Sequence, residues 1–478
     1  MNNDNVPLFT LITTYVSFFL LIVLGHFRDL IGKRLNPKKY RHLTRQNNIH
    51  PLFTGFESFF IRRMYTRIRD CWNRPISGIP GRILKICERT SYDNNISLHR
   101  TGKIIEALNF SSYNYLGFGS NSEVLINKDI ESLSNNAVNY PASYADIGRA
   151  LIIKKLEKKV AEFLHKEDST VFTMGFATNS CNIPVLVEEG VLVLSDELNH
   201  TSIVFGSKMS LATIRTYSHN NMDDLEGILR YYISQGQPIT HRSWKKIFVI
   251  TEGIFSMEGT VLHLKRLVEL KKKYKFYLFI DEAHSIGALG ETGRGICEYT
   301  NVNFEDVDIL MGTFTKSFGG TGGYIASSKS VVQYLRTYSD LSLYGEQISP
   351  IAATHIYNSL KILTYSKTGR IKLQKLRRNT LYFRKKLIDM GFVVFGDDIS
   401  PIVPLMIFNP GKIAEFSRLC FKEGLAVVVV GYPATPVISS RVRFCISASN
   451  TKKDIIRALT IVKKVGRLLG MDVLRKKF

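Results

Sequence analysis

The sequence predicts an α/β protein with a large doubly wound, mostly parallel sheet, a smaller α+β domain after it and a membrane helix before it. Three features lead to this prediction. Short apolar runs with polar residues at their ends alternate with helical stretches between residues 104 and 366, as buried parallel strands and their crossover helices do. Amphipathic helices then flank short strands in residues 367–478. An uncharged segment stands near the amino terminus.

The first predicted element is the segment from Val6 to Gly25, which carries no charged residue and is about long enough to cross a bilayer as a helix. Residues 26–45 are rich in Lys and Arg, and this asymmetry predicts that the rest of the protein is cytoplasmic. We therefore expect a single membrane-spanning helix within residues 1–27. A buried core helix and an interfacial helix are weaker alternatives, because the segment is wholly apolar.

Residues 28–103 are predicted to form a basic linker and an N-terminal helical segment, which packs on the body or on the membrane surface.

The chain of 478 residues has a formal net charge of +23, which favours anionic partners such as nucleic acid, acidic membrane or a coenzyme A thioester. Its six cysteines are scattered, with none in a C-x-x-C pair. We therefore expect no metal site, no disulfide framework and a reducing setting for the folded part.

The large domain is predicted over residues 104–366 and the small domain over residues 367–478. In such sheets ligands bind beyond the carboxyl ends of the strands, which is where the polar residues lie. The predicted strands are Val191–Glu197, Lys246–Gly253, Phe276–His284 and Asp308–Phe314 in the large domain, and Leu425–Val430 and Arg441–Ser447 in the small one. The predicted helices include Leu262–Tyr274, Lys372–Phe392, Gly411–Glu423 and Thr451–Leu469.

The letters DEAH at residues 281–284 match a nucleic-acid helicase motif. Such an ATPase also needs a phosphate-binding loop, G-x-x-x-x-G-K-[ST], upstream of its acidic motif, and the sequence has none. The nearest imitation, residues 312–320, lacks the glycine before Lys316 and lies downstream. The helicase is therefore a minor alternative, which ATP hydrolysis stimulated by nucleic acid would revive.

Unusual polar groups follow four of the predicted strands. Each has an ordinary explanation when taken alone, such as capping a helix or contacting solvent. Because the carboxyl ends of parallel strands share one edge of the sheet, the groups together indicate a functional site there. They are Asp196 and His200, Ser256, Asp281 and His284, and Thr313, Lys316 and Ser317.

This combination suits pyridoxal 5′-phosphate, a cofactor that needs a lysine for its Schiff base, a carboxylate for its ring nitrogen and donors for its phosphate. Lys316 provides the amine, which must be neutral to react and whose pKa desolvation lowers. Asp281 provides the carboxylate. A strand gives way to a helix at Gly175, where backbone amides are offered to the phosphate, and Thr313 adds a hydroxyl.

Longer motifs surround these residues: Ser111–Phe118, Gly175–Pro184, Asp281–Gly295, Gly312–Ala326 and Gly431–Thr451. With them the chain resembles the α-oxoamine synthases, which are fold-type I pyridoxal phosphate enzymes. Within that family it most resembles the catalytic second long-chain-base subunits of eukaryotic serine palmitoyltransferases. The stretches GHFRDLIGK and YTRIRDCWNRPISGIPG match those subunits rather than soluble bacterial relatives. The resemblance covers nearly the whole chain.

The resemblance implies a role for each site residue. Lys316 forms the Schiff base and later acts as acid and base, while Asp281 pairs with the ring nitrogen. His284 bonds the ring hydroxyl, and His200 stacks on the ring face. The other implied contacts are Ser256 near the cofactor hydroxyl, Thr313 with Gly175, Phe176 and Ala177 on the phosphate, and Asn114 with Arg443 on the amino-acid carboxylate.

One segment departs from the family pattern. Between Asn139 and Glu157 the family usually has a Thr-Arg pair and, later, a His shortly before Leu-Glu. This chain lacks the pair and the His but retains Gly148. We therefore carry over no substrate or partner contact from this segment, and the core chemistry does not depend on it.

The resemblance also implies an activity: the decarboxylative condensation of L-serine with palmitoyl-CoA to 3-ketodihydrosphinganine, which begins sphingolipid biosynthesis at the endoplasmic reticulum membrane. It implies a heterodimer with a first subunit that lacks the Schiff-base lysine, and no nucleic-acid partner. 5-Aminolevulinate synthase and glycine C-acetyltransferase use nearly the same residues but are soluble or organellar, so the membrane segment argues against them. A non-catalytic scaffold subunit is disfavoured because Lys316 is present.

Overall fold

The computed structural model describes residues 8–43, 50–51, 55–120, 122–140, 143 and 148–471. Within these ranges the strands form three sheets. In chain order the strands are β1 (Ile83–Thr90), β2 (His99–Asn109), β3 (Asp168–Phe172), β4 (Val191–Asp196), β5 (Thr213–Tyr217), β6 (Lys246–Glu252), β7 (Tyr277–Asp281), β8 (Ile309–Thr313), β9 (Gly323–Ser327), β10 (Ile402–Phe408), β11 (Leu425–Ala426), β12 (Val428–Val430) and β13 (Ser440–Cys445).

The central sheet has seven strands in the order β3-β9-β8-β7-β6-β4-β5. β9 is antiparallel to both of its neighbours, and the pairs from β8 across to β5 are parallel. Every residue of β4 and β8 is buried, because helices cover both faces of the sheet and the strands are almost wholly apolar. The predicted mostly parallel α/β sheet is confirmed.

The crossover helices follow the amphipathic pattern of their sequences. Helix Leu264–Tyr274 buries Leu264, Leu267 and Val268 on one face and ends at Lys275, which has a left-handed backbone with φ of 59°. The other helices are Leu8–Leu35, Pro37–Tyr40, Phe56–Phe60, Thr66–Ile68, Glu123–Asn135, Leu151–Phe163, Gly175–Ser180, Ile183–Leu186, Thr201–Met209, Met222–Gln235, Ile296–Thr300, Lys329–Tyr338, Asp340–Leu343, Pro350–Tyr365, Lys367–Asp389, Pro410–Lys422 and Lys452–Leu468.

The carboxyl-terminal part contains the antiparallel sheet β10-β13-β12. The third sheet joins this part to the linker, since β2 pairs with β1 on one side and with β11 on the other. The predicted domain boundary at residues 103–104 therefore falls inside β2. The predicted strand Leu425–Val430 is two strands, β11 and β12, which belong to different sheets. Ser366 separates helix Pro350–Tyr365 from helix Lys367–Asp389, at the second predicted boundary.

The first helix, Leu8–Leu35, continues well past Gly25, the predicted end of the apolar segment. Residues 1–7 of the predicted membrane region lie outside the described ranges. The helix is long and apolar enough to cross a membrane, with a mean hydropathy of 2.2 over its most apolar window. Its carboxyl-terminal half contacts the linker, because the Asp29 carboxylate forms ion pairs with Arg62 and Arg63.

Candidate active site

The carboxyl ends of β4, β6, β7 and β8 meet at one edge of the central sheet. Glu252, the last residue of β6, lies directly beside Asp281, the last residue of β7, and Asp281 lies beside Met311 of β8. The parallel pairing therefore brings the polar residues that follow these strands into one region. This arrangement is the one that the spacing of polar groups predicted.

Lys316 lies in the loop between β8 and β9 and is half-buried. Burial lowers the pKa of its amine to about 8, although the carboxylates of Asp281 and Glu252 oppose this shift. The loop is fixed next to the lysine, because the Ser317 hydroxyl donates to the carbonyl of Ile286 over 2.7 Å. An appreciable share of the amine is therefore neutral near pH 8, as a reacting lysine requires.

The Asp281 carboxylate is buried and held at both oxygens. Asn179 donates from its side-chain Nδ2 to Oδ2 over 2.7 Å, and the backbone N–H of Ala283 donates to Oδ1 over 2.8 Å. Asn179 belongs to the short helix Gly175–Ser180. These two hydrogen bonds fix the direction of the carboxylate.

His284 is fully buried between two tyrosines. Its Nδ1 lies 2.8 Å from the hydroxyl oxygen of Tyr115, and its ring meets the ring of Tyr113 edge to face at 5.0 Å between centroids. Burial, reinforced by the positive charge of Lys316, holds the pKa of His284 well below its usual value. The imidazole is therefore neutral. With Tyr115 as the donor to Nδ1, the proton of the ring is on Nε2.

His200 caps helix Thr201–Met209, as its ordinary interpretation predicted, and its ring is also exposed at the site edge. The backbone N–H of Ser202 donates to Nδ1 over 3.2 Å, so a neutral ring carries its proton on Nε2. The backbone N–H of His200 donates to Oε1 of Glu252 over 2.5 Å. The ring of Phe176, also exposed, meets His200 edge to face at 6.2 Å.

Glu252 is a site residue that the sequence interpretation did not single out. It is buried, and this burial, with the neighbouring carboxylate of Asp281, raises its pKa well above the usual value. Burial therefore favours the protonated form of this carboxyl group. Its signal in the sequence was a carboxylate closing a buried apolar strand, the same signal that identified Asp281.

The start of helix Gly175–Ser180 packs against the end of β8. A Cβ placed on Gly175 would stand 2.8 Å from Oγ1 of Thr313. The same hydroxyl donates to the carbonyl of Gly322 over 2.9 Å and lies 2.8 Å from Oγ1 of Thr315. The glycine therefore lets the start of the helix pack closely against the Thr313 side chain. Ala177, two residues further along the helix, is buried.

Arg443 lies on β13 and is buried. One terminal nitrogen, Nη1, lies 3.4 Å from the sulfur of Met257 and 3.5 Å from the carbonyl of Ser256. Its Nε has no hydrogen-bond partner among the residues that the structure describes. A buried guanidinium with free donors is suited to binding a carboxylate.

Two predicted site residues have local contacts of their own. The Asn114 side-chain oxygen accepts from the backbone N–H of Gly119 over 3.1 Å, so it shapes the turn that packs against Gly319 of the lysine loop. The Asp196 carboxylate accepts from the backbone N–H of Asn220 and bonds the ring of His219. The roles predicted for the site residues, among them those of Asn114 and of the Ser256 hydroxyl, stay predictions. In the segment 139–157, from which no contact was carried over, residues 141–142 and 144–147 lie outside the described ranges.

These residues fit pyridoxal phosphate. The site supplies an amine of lowered pKa, a carboxylate fixed at both oxygens and a cradle that a Cβ on Gly175 would fill. The family model for aminotransferase class I and II matches residues 105–462. The chain belongs to this family. It is a pyridoxal phosphate-dependent enzyme with the fold-type I architecture.

Curated relatives match the chain almost from end to end. It is 47% identical over 476 residues to long chain base biosynthesis protein 2b of Arabidopsis thaliana, covering 98% of this chain and 95% of that one. It is 45% identical to serine palmitoyltransferase 2 of Schizosaccharomyces pombe, covering 98% and 78%. It is 43% identical to human serine palmitoyltransferase 3, covering 99% and 87%.

Solved structures share the fold. The serine palmitoyltransferase of Sphingomonas wittichii aligns with a TM-score of 0.77 at 24% identity, over 88% of this chain and 99% of that one. An 8-amino-7-oxononanoate synthase from Francisella tularensis aligns with a TM-score of 0.64 at 23% identity, over 76% and 98%. The chain thus has the fold of these solved structures.

Proposed function

We propose that this protein is the catalytic subunit of a serine C-palmitoyltransferase, which condenses L-serine with palmitoyl-CoA and releases CoA and carbon dioxide. The relatives that carry this name match over nearly the whole chain. The observation that carries the proposal is Lys316, whose amine has a pKa of about 8 and shares its surroundings with the buried carboxylate of Asp281. A scaffold subunit has no use for such an amine.

The bound cofactor supplies an aldehyde for the amine and a ring that accepts an electron pair. Lys316 would hold the cofactor through its amine and, when serine replaces it, would remove the proton from Cα of serine. Asp281 would keep a proton on the ring nitrogen, neutral His284 would donate from Nε2 to the ring hydroxyl, and Arg443 would orient the serine carboxylate through its free donors. Cα would then bond to the thioester carbonyl carbon as the CoA thiolate leaves. Loss of the carboxylate as carbon dioxide would leave an electron pair at Cα, and the Lys316 ammonium would return a proton there.

Visible absorption tests this proposal. The purified full chain, loaded with pyridoxal phosphate, should show the visible band of cofactor bound to Lys316, and serine should shift it. Lys316→Ala should lose the band, whereas Lys329→Ala, which changes an exposed lysine in helix Lys329–Tyr338, should keep it. Product formation from serine and palmitoyl-CoA completes the test. A wild-type protein without the band at saturating cofactor would contradict the proposal.

The proposed partner is a first subunit that lacks the lysine. Apolar side chains beside the site are exposed in the single chain: Phe205 and Met209 on helix Thr201–Met209, with exposed fractions of 49% and 62%. Apolar surface of this kind favours a protein interface. We expect Phe205→Asp and Met209→Asp to reduce co-purification of the two subunits, while the Lys329→Ala control leaves it unchanged.

The proposed location is the endoplasmic reticulum membrane, with one span and a cytosolic catalytic body. The apolar first helix and the basic residues at its carboxyl-terminal end, such as Lys33 and Arg34, support this topology. A glycosylation tag placed before Leu8 should be modified, and one placed after the last residue should not be. Modification of the second tag alone would reverse the topology.

A further inference from the structure

Three side chains outside the proposed chemistry form a hydrogen-bonded chain beside the site. The Nδ1 of His219 lies 2.9 Å from Oδ1 of Asp196, and its Nε2 lies 2.8 Å from Oγ1 of Thr260. A carboxylate only accepts, so Nδ1 carries a proton, and in the neutral ring Nε2 accepts the hydroxyl proton of Thr260. Phe255 packs edge-on against the same ring at 4.4 Å between centroids. The imidazole is thus held on three sides.

This chain anchors the turn formed by residues 255–260. The turn is closed by two backbone bonds: Phe255 N–H to the Thr260 carbonyl, 3.0 Å, and Gly259 N–H to the Phe255 carbonyl, 2.8 Å. Beside His219, Asn220 donates from Nδ2 to the Val261 carbonyl over 2.9 Å. These bonds fix the carboxyl-terminal end of the turn to the large domain. His219 contacts the turn through Thr260.

Both buried arginines of β13 rest on this turn. Arg441 donates from Nη1 to the carbonyl of Met257 over 3.0 Å. Arg443 has longer contacts, 3.4 Å to the Met257 sulfur and 3.5 Å to the Ser256 carbonyl. Because both of these hydrogen-bond contacts go to the turn, the direction of the Arg443 guanidinium depends on where the turn places Ser256 and Met257.

We infer that His219 is a positioning residue for substrate binding: through Thr260 it fixes the turn that aims Arg443 at the carboxylate of the amino-acid substrate. The inference rests on the proposed function, in which Arg443 holds that carboxylate. Loss of the hydroxyl–imidazole bond removes one of the contacts that hold the turn, so the positions of Ser256 and Met257 become less fixed. The affinity for a carboxylate should then fall, while groups that hold the cofactor keep their geometry.

The test compares two amines that differ in the carboxylate. Thr260→Val removes the hydroxyl with little change in shape, and Thr260→Ser is the matched control that keeps it. Serine and ethanolamine, which lacks the carboxylate, are titrated into the cofactor-loaded full chain and followed by visible absorption. For Thr260→Val we expect the Kd for serine to rise about threefold to tenfold, the effect of one lost hydrogen bond. The Kd for ethanolamine should not change, and Thr260→Ser should behave as wild type.

His219→Asn provides a second variant with the same expected selectivity, and thermal unfolding of each cofactor-free variant verifies folding. An equal loss of serine and ethanolamine affinity, or an unchanged serine Kd, would overturn the inference and leave the proposed function intact. A wild-type protein that binds cofactor but does not respond to serine would overturn the proposed function and this inference with it.

Discussion

The guanidinium of Arg443 lies over the ring of Tyr113, 4.7 Å from its centroid. The amine of Lys316 lies 5.6 Å from the same centroid, so one aromatic ring contacts both cations of the site. The negative face of an aromatic ring attracts a cation, most strongly where water is excluded. Tyr113 thereby reduces the repulsion between an amine and a guanidinium that must share a small volume.

Replacing Tyr113 should weaken substrate binding through this contact. For Tyr113→Ala we expect the KM for serine to rise about tenfold, which corresponds to a desolvated cation–π contact. Tyr113→Phe keeps the ring and should retain near wild-type KM. Steady-state kinetics with saturating palmitoyl-CoA measures both. A Phe variant as impaired as the Ala variant would show that the hydroxyl, rather than the ring, is required.

Gly175→Ala should reduce cofactor affinity, because the added methyl group would meet the Thr313 hydroxyl at 2.8 Å. Either the helix that carries the new methyl group or the Thr313 side chain must move, and this widens the predicted phosphate site between them. We expect a loss of about tenfold or more in the Kd for pyridoxal phosphate, measured by fluorescence quenching. Gly227→Ala, in helix Met222–Gln235, is the matched control, since no atom lies within 4 Å of the Cβ that it would add. It should stabilise the fold by about 0.5–1 kcal/mol.

The titration of Lys316 should be visible in the cofactor-free protein. Its pKa is about 8 in the folded chain and 10.5 ordinarily. Cofactor incorporation needs the neutral amine, so its rate should rise with pH up to about 8 and level off above it. Stopped-flow absorption measures this rate. A rate still rising steeply above pH 9 would contradict a lowered pKa.

Stability should follow the same group with a definite sign. Between pH 8 and 10.5 the unfolded chain still binds the Lys316 proton that the folded chain has released, so folded-state stability rises with pH there. Relative to Lys316→Met, cofactor-free wild type should be less stable below pH 8, and this deficit should disappear as the pH approaches 10.5. Thermal melts of both proteins across the range test it. A constant difference would exclude the titration.

Asp281→Asn should uncouple cofactor binding from proton removal. The amide keeps the size of the carboxylate but cannot hold a proton on the ring nitrogen. We expect exchange of the serine Cα proton with deuterated water to slow by on the order of 100-fold or more, followed by NMR without palmitoyl-CoA. The visible band should persist. Exchange at the wild-type rate would remove Asp281 from its assigned role.

The sequence predicted four strands of the seven-stranded sheet, β4, β6, β7 and β8, to within three residues at each end, because strands that are buried on both faces are continuous apolar runs. It gave no bounds for β3, β5 and β9. It also placed Asp281, Thr313 and Lys316 at one edge, since parallel strands end together. Positions that depend on the approach of distant segments could not be predicted in this way. The placement of Arg443 beside Tyr113 joins β13 to a turn more than three hundred residues earlier in the chain, and no local pattern encodes it.

Two other differences have physical causes. The segment Leu425–Val430 is one continuous apolar run, yet it divides between two sheets because its start pairs with β2 and its end pairs with β13. Glu252 was not singled out, although it closes an apolar strand as Asp281 does, because its burial depends on a contact that no local pattern shows: the His200 backbone N–H donates to its carboxyl group. Such a contact depends on the paired ends of β4 and β6.

The antiparallel pairing of β9 with β8 has a mechanical consequence. Thr313 and Gly323, at the two ends of the loop that carries Lys316, face each other across the ladder. Both ends of the loop that carries Lys316 are therefore fixed in the sheet. Movement of the Lys316 amine from one bonding partner to the next must then come from rotation about the bonds of its side chain, while the backbone of the loop stays in place.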